Sequence, residues 1–499
     1  MLRKPIIIRG RWISVLFYAQ CFHKSIAICD DVTHKDLASF DKPVDMMNPL
    51  ERRSTFALSS IFALRMLGLF MIIPVFAVAG QSYQYATPAL IGLAVGVYGL
   101  SQALLQIPFS LWADRFSRKP LIVIGLLLFA LGGAVAAMSE TIYGVIIGRA
   151  IAGAGAVSAV VMALLADVTR EENRSKAMAT MGMSIGLSFV VAFSAGPWLT
   201  TLVGISGLFW VTTIMGLLAI LTLFLVPKTT RHHKNFQQGY LTQLKQVLKM
   251  GDLNRLHVSV FALHLLLTAM FVYMPSQLIQ VADLPLSKHG VVYLPLLVIS
   301  LFFAFPSIIL AEKYRKMRGI FLTAIAGIIV GLLILIFGYS SKYVLLLGLG
   351  LFFIAFNVME ALLPSWLSKA APIQSKATAM GVNASGQFLG AFCGGILGGQ
   401  LILLNNTALG WSVLAGIAII WLFISLGLQQ PRYLTSVVLR LPENQQTDDW
   451  TSQLLAIHGI EEVVVMTDQQ VAYIKVDKQQ LDDVGRQHLT HLFGKEVAI

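Results

Sequence analysis

A chain of 499 residues that is 56% hydrophobic and 12% charged is no ordinary soluble protein, in which about a quarter of the residues are Asp, Glu, Lys or Arg. The formal charge of +12 and pI near 9.6 require no nucleic acid, because basic loops beside an anionic leaflet account for such a surplus. Three cysteines support no disulfide framework, and the lack of a Gly-Lys-Ser or Gly-Lys-Thr phosphate loop speaks against a transport ATPase.

Residues 1–47 form an N-terminal extension of mixed charge that contains Cys21 and Cys29. Ile13 to Cys21 is too short to cross a bilayer. Arg3, Lys4, Arg9 and Arg11 precede it as in a signal peptide, yet no small-residue cleavage pattern follows.

Residues 48–227 carry six apolar stretches, at 54–79, 89–113, 120–139, 142–167, 175–202 and 206–226. A polar linker, 228–255, follows. Within it Tyr240, Leu241, Leu244, Val247 and Leu248 share one helical face, which predicts an interfacial amphipathic helix. Residues 256–430 carry six more stretches, at 256–280, 290–310, 319–339, 343–368, 377–404 and 408–428. A helix needs about 20 apolar residues to cross a hydrocarbon core. Only segments that satisfy their own backbone can do so. The expectation is therefore an all-α membrane protein of twelve spans. Connections after even-numbered spans hold 18 Lys and Arg, against Lys288 and Lys342 on the opposite face. That asymmetry predicts both ends of the bundle in the cytoplasm.

The chain repeats itself. Phe62-Ala63-Leu64-Arg65 matches Phe261-Ala262-Leu263-His264, Pro108 matches Pro306, Ala163-Leu164-Leu165 matches Ala361-Leu362-Leu363, and Ser175-Lys176-Ala177 matches Ser375-Lys376-Ala377. The near-constant offset predicts two homologous six-helix halves, with a substrate site between them near the midplane. Residues 431–499 read β-α-β-β-α: Val437, Leu439 and Leu441 on one strand, and Asp448-Asp449 capping a helix with Trp450, Leu454 and Ile457. Two strands follow over Glu461–Thr467 and Gln470–Asp477, then a helix with Leu481, Val484, Leu489 and Leu492. This order predicts a small α+β ferredoxin-like domain. Without cysteine it offers no metal-carrier loop.

Polar groups inside the spans are costly, about 2.5–3.5 kcal/mol each at a helix centre, so each calls for a reason. Arg65 lies halfway along the first span, Arg149 lies in the fourth, and His264 takes the place of Arg65 in the second half. Glu360 is the acid set well inside a span. A proton carrier needs a group whose affinity responds to its surroundings. Glu360 and His264 are the first candidates; the alternative is a static pair that fixes helix register. Arg65 reads as a cavity or gating cation, or as a structural counter-ion. At the helix ends, Asp114 and Asp167 flank Arg118, with Arg115 beside it. Two carboxylates around one guanidinium can lock adjacent helices in one state and release them in another. Glycine stripes at Gly92, Gly96 and Gly99, and at Gly394, Gly395, Gly398 and Gly399, predict close helix contact.

The connection Ser110-Leu111-Trp112-Ala113-Asp114-Arg115-Phe116-Ser117-Arg118-Lys119 resembles the major facilitator signature Gly-x-Leu-x-Asp-Arg-x-Gly-Arg-Lys, with Ser in place of both glycines and Trp112 in place of the leucine. Arg149-Ala150-Ile151-Ala152-Gly153-Ala154-Gly155 resembles a second signature. Gly182, Gly186 and Gly196-Pro197 partly resemble the Gly-Pro pattern of family antiporters. Glu51-Arg52-Arg53-Ser54, Leu64-Arg65-Met66-Leu67-Gly68, Gln106-Ile107-Pro108-Phe109, Val161-Met162-Ala163-Leu164-Leu165 and Val358-Met359-Glu360-Ala361-Leu362-Leu363-Pro364-Ser365 are similar to the YajR-type subfamily, which carries a C-terminal YAM domain. The resemblance starts near Met46-Met47, so translation is expected to begin there.

The resemblance implies a proton-coupled secondary transporter of the bacterial inner membrane. The expectation is an efflux antiporter driven by the proton gradient without a cofactor, for a small, amphipathic or drug-like molecule that the resemblance itself does not supply; a monomer is expected, though no oligomeric state follows from the sequence. It also implies that Asp114, Arg115, Arg118 and Asp167 form a conformational latch and that Arg149 positions charge for proton release; the alternatives are a solvated surface cluster at the helix ends and an Arg149 packed against a carbonyl. A metabolite-uptake symporter, and a membrane sensor with a regulatory tail, are the alternatives. Neither a nucleophile–base pair nor a metal cluster marks the chain as an enzyme.

Overall fold

The computed structural model describes residues 47–227, 240–338, 341–372, 375–404, 406–441, 450–466, 471–477 and 480–493. Cys21, Cys29 and the basic run before them, Lys228, Arg231 and Lys234 of the linker, and the Asp448-Asp449 cap lie outside these residues. So does the turn at 467–470. The bundle comprises α1 (Pro49–Ala79), α2 (Pro88–Arg115), α3 (Arg118–Met138), α4 (Ile142–Ala154), α5 (Ser158–Val168), α6 (Glu171–Leu223), α7 (Tyr240–Lys249), α8 (Gly251–Gln280), α9 (His289–Lys313), α10 (Met317–Gly338), α11 (Lys342–Ala370), α12 (Lys376–Leu403) and α13 (Thr407–Leu426). The tail adds β1 (Thr435–Arg440), α14 (Trp450–Leu455), β2 (Ile460–Met466), β3 (Val471–Val476) and α15 (Asp483–Phe493).

Eleven continuous helical stretches among the described residues are long and apolar enough to cross a bilayer. One of them, Lys176–Leu223, has 48 residues, about twice what a bilayer requires. It breaks at Gly204, whose φ of 69° and ψ of 178° are not helical. Glycine alone enters that region without steric cost. The stretch therefore counts as two spans, and the twelve read from hydropathy are all present. Helices α4 and α5 share the fourth span, separated by the non-helical Gly155-Ala156-Val157.

The two halves meet at the end of the bundle remote from the linker. A Cβ on Gly96 would lie 2.6 Å from the Phe392 carbonyl oxygen, and one on Gly99 2.5 Å from that of Phe388. Gly92 abuts Gly395 and Gly399, and Gly290 of α9 abuts the Ser194 carbonyl of α6. The glycine stripes thus let α2 and α12 touch backbone to backbone across the halves. Toward the linker the helices part: Leu104 is 66% exposed and Met183 68%, and nothing lies near Gly182, Gly186 or Gly381. The bundle is closed at one end and open at the linker end.

Helix α7 differs from the interfacial helix expected. Val247 and Gln243, one turn apart, are buried, whereas Leu248 is exposed. Gln243 accepts a hydrogen bond from Thr378 Oγ1 at 2.8 Å, so α7 packs on the start of α12.

The tail forms a three-stranded antiparallel sheet in the order β1-β3-β2. Crossing from β1 to β2 through a helix, with β3 between them, is the ferredoxin-like arrangement expected. Leu439, Leu454, Ile457, Ile474, Leu481 and Leu489 fill its core, and Gly459 turns out of the first helix at φ 94°. Val484, expected inside, is exposed, because it sits in the first turn of α15, on a different face from Leu489. The tail docks on the second half. Arg315 pairs with Asp477 at 3.0 Å, Lys475 donates to the Ala371 carbonyl at 2.7 Å, and Tyr433 donates to the Ala311 carbonyl at 2.8 Å. Burial pushes the Tyr433 phenol above its ordinary pKa, so it remains a donor throughout the physiological range.

Candidate functional site

An aromatic cluster joins the halves. Phe70 of α1 meets Phe189 of α6 at 5.1 Å between centroids. Phe189 meets Phe193 at 4.3 Å and Phe356 of α11 at 6.3 Å. Phe193 meets Phe271 of α8 at 4.1 Å and Tyr293 of α9 at 6.5 Å. Phe193, Phe271 and Tyr293 are buried. Offset and edge-to-face rings of this kind each add about 0.5–1.5 kcal/mol beyond their buried area. The cluster closes the space between the halves on the side away from the linker.

One turn toward the linker from Phe356, Glu360 projects from the same face of α11. Its Oε2 lies 3.5 Å from His264 Nε2 of α8. The His264 side chain is 9% exposed and that of Glu360 44%. The carboxylate is therefore not the buried acid expected. It faces the open space between the halves, while the imidazole is packed into the second half. His264 Nδ1 contacts the Val260 carbonyl at 3.0 Å, and its Nε2 meets Gln387 Nε2 of α12 at 2.8 Å. The Phe356 ring lies edge-on to it at 6.1 Å. A carboxylate and an imidazole in this contact can share or exchange one proton, and either can present charge to a ligand between the halves.

Arg65 and Arg149 belong to a different network, inside the first half. Arg65 is 2% exposed and donates to Ser158 Oγ (2.8 Å), Tyr98 Oη (3.0 Å) and Gln102 Oε1 (2.6 Å). Arg149 donates to the carbonyls of Ala94 (2.5 Å) and Val95 (3.1 Å), with its guanidinium 5.7 Å from the Tyr98 ring. Tyr98 thus links the two cations. Among the described residues neither pairs with a carboxylate. The structure brings His264 and Glu360 together, and joins Arg65 and Arg149 through Tyr98, without joining the two pairs.

At the linker end Arg118 pairs with Asp167 and also donates to the Ala163 carbonyl, and Lys119 donates to the Val226 carbonyl. The Asp114 and Arg115 side chains lie outside the description, although both residues are helical. In the second half the corresponding helix ends carry Glu312 and Lys369, 2.6 Å apart, with Ser365 between them. Of the residues of the antiporter-type pattern, Gly196 lets α6 approach the Met71 carbonyl, where a Cβ would come to 2.7 Å. Gly182 and Gly186 face open space, and Pro197 lies inside α6.

Two features carried no functional reading from sequence, and a third, Gln387, reads there only as a cavity-lining residue of no fixed orientation, like Asn357, Asn383 and Tyr98. Glu51, 2% exposed, accepts from the Arg170 backbone at 2.8 Å, from its side chain at 3.1 Å and from Asn173 at 3.1 Å, tying α1 to the start of α6. The aromatic cluster gathers residues from five helices with no shared motif. Gln387 had only its polarity to mark it.

The chain matches the family model described as Major Facilitator Superfamily over residues 58–394. It is 43% identical over 439 residues to the inner membrane transport protein YajR of Escherichia coli, covering 87% of this chain and 96% of that protein. It is 28% identical over 362 residues to multidrug resistance protein 2 of Bacillus subtilis, covering 70% and 88%. Among solved structures it resembles a bacterial homologue of the human lysosomal transporter Spinster in an inward-facing, occupied conformation, with a TM-score of 0.64 at 15% identity, covering 76% and 97%. A D-xylose–proton symporter gives a TM-score of 0.64 at 15% identity, covering 76% and 98%. At that identity these two likenesses speak for the fold. Two six-helix halves, the signature loop and the long match to the E. coli protein together make this chain a member of the Major Facilitator Superfamily, a membrane transporter of the YajR type.

Proposed function

We propose that this transporter is a proton-coupled antiporter that exports a small, amphipathic or drug-like molecule. The observation that carries the reading is the Glu360–His264 contact at 3.5 Å, set where the halves part and next to the aromatic closure. An acid half exposed to the space between halves meets either solvent or substrate as access alternates, so a proton and a substrate can occupy it in turn. Relatives named for multidrug resistance, in B. subtilis and in Aeromonas salmonicida, support export. The charge asymmetry of 18 to two supports an orientation with the linker, the tail and the open end in the cytoplasm of an inner membrane. In this reading Arg118, Asp167 and Asp114, with Arg115 beside them, hold the linker ends of α2, α3 and α5 in one state. Arg65 and Arg149 supply a fixed positive field in the first half. No cofactor is needed, because the proton gradient drives the cycle.

The test uses energised everted membrane vesicles and a panel of aromatic cations, aromatic anions and neutral amphiphiles, with a fluorescent dye reporting the pH gradient. A compound exported by the cell enters such vesicles and discharges the gradient. Glu360→Gln, which retains size and hydrogen bonding, is expected to abolish the discharge while leaving compound binding intact. Discharge at the wild-type level in Glu360→Gln would overturn the assignment of the proton site, and gradient-driven exit of a compound from the vesicles would replace export by uptake.

A further inference from the structure

We infer that Gln387 is a positioning residue that transmits the protonation of His264 to the seam between the two halves; this rests on His264 and Glu360 being the proton site. The Val260 carbonyl, 3.0 Å from His264 Nδ1, accepts hydrogen bonds and never donates them. It therefore holds the hydrogen of the neutral ring on Nδ1, and Nε2 is left bare as an acceptor. Gln387 Nε2, at 2.8 Å, donates to that bare nitrogen.

Arrival of a proton reverses the arrangement. A proton taken from water in the open space binds His264 Nε2, and the ring becomes a cation with two N–H donors. The Gln387 N–H···Nε2 bond breaks, because two donors now face each other. The new N–H turns to the Glu360 carboxylate 3.5 Å away. If the carboxylate then takes the proton, the ring is neutral again and Gln387 can return. One proton enters, one hydrogen bond is lost and one is formed. The groups facing the ring are Glu360 from α11, Gln387 from α12, the Val260 carbonyl of its own helix and the Phe356 edge. Among the described residues Glu360 is the charged side chain paired with it.

What makes Gln387 a transmitter is its place on α12. The next residue, Phe388, has its carbonyl against Gly99 of α2, where a Cβ would come to 2.5 Å, and Phe392 stands against Gly96 in the same way. On the other side, Gly390 and Gly394 abut the Phe261 and Leu265 carbonyls of α8. Helix α12 therefore lies between the proton site and the first half, without side chains to cushion either contact. Packed seams of this kind shift between discrete arrangements rather than deform smoothly. Protonation replaces a tie from α8 to α12 by a tie from α8 to α11, and so frees α12 to move against α2.

The test places spin labels at Leu104 on α2 and Met380 on α12, both exposed near the opening, in full-length protein with Cys393 and the other cysteines replaced. Distances are measured in lipid nanodiscs across a pH series. The wild-type background is expected to change its inter-label distance on acidification. His264→Asn and Gln387→Leu are expected to lose that change. Gln387→Glu, whose carboxylate would pair with the protonated ring and keep α12 tied to α8, is expected to hold the neutral-pH distance on acidification. A full acid response in Gln387→Leu with none in His264→Asn would overturn the role of Gln387 and leave the proton site standing. A full response in His264→Asn would overturn both. If Gln387→Leu does not fold, Gln387→Glu decides alone: a distance that follows pH as in the wild type would overturn the inference.

Discussion

Arg65 and Glu360 show how far single residues can be read before their surroundings are known. Each was singled out because a charge inside a span is costly, and each lies where something polar meets it. The sequence did not reveal that Arg65 is enclosed by Ser158, Tyr98 and Gln102 whereas Glu360 is 44% exposed, because the facing residues are 33 to 96 positions away and burial is a property of packing. Replacing Arg65 by Leu is expected to destabilise the first half by about 3–5 kcal/mol, since three buried acceptors lose a charged donor. A fall of the thermal midpoint in detergent checks it. Arg65→Lys should restore part of the loss, because an ammonium reaches fewer of the three acceptors. A midpoint unchanged in Arg65→Leu would make the cluster a hydrated pocket instead of a structural node. The Arg118–Asp167 pair is partly exposed, at 21% and 40% for the two side chains, and an exposed pair is worth under about 1 kcal/mol. Asp167→Asn is therefore expected to leave the thermal midpoint nearly unchanged and to alter the balance of open and closed states, read by cysteine accessibility at the linker end.

At the scale of elements, glycine spacing marks more than a close helix contact. The stripes in α2 and α12 were legible as sites of close approach, but not as the seam between halves, because hydropathy gives a helix its length and not its neighbour. The same limit hid the aromatic cluster, since phenylalanine in an apolar span has no periodic signal of its own. Even so, the break at Gly204 was bracketed by the spans ending at 202 and beginning at 206, because glycine and a drop in apolar length coincide there. Gly96→Leu is expected to hold the remote end apart, since a side chain has no room 2.6 Å from the Phe392 carbonyl. A thiol probe at Ser385, whose hydroxyl now meets the Ala103 carbonyl at 3.4 Å, should then react faster. Unchanged reactivity there would mean that α2 and α12 close elsewhere. Gly204→Ala, forced into a left-handed φ, is expected to cost about 1–2 kcal/mol without altering the direction of opening.

For the molecule as a whole, the tail raises the question of whether it regulates the bundle or only rests on it. Its α+β pattern was readable from alternating strands and two short amphipathic helices, but nothing in the sequence said where it would dock. The contacts described above go to the second half: Asp477 to Arg315, Lys475 to Ala371, Tyr433 to Ala311. They grip the loop between α9 and α10, the counterpart of the signature loop in the first half, together with the last turns of α9 and the end of α11. Lys475 is the central group, 5% exposed and also 2.9 Å from Glu462. A hydrogen bond from a charged donor contributes about 1.5–3 kcal/mol, so Lys475→Met should release the tail while its own sheet stays intact. Hydrogen exchange would then rise in the loop at 314–318 and at Ala371, and stay unchanged within β1 to β3. Because rocking of one half against the other does not require the gripped loop to move relative to its own half, transport is expected to persist in Lys475→Met and in a chain ending at Leu434. Complete loss of transport in the truncated chain, with the bundle folded and inserted, would show instead that the tail is part of the moving machinery and that the grip on Arg315 and Ala371 changes during the cycle.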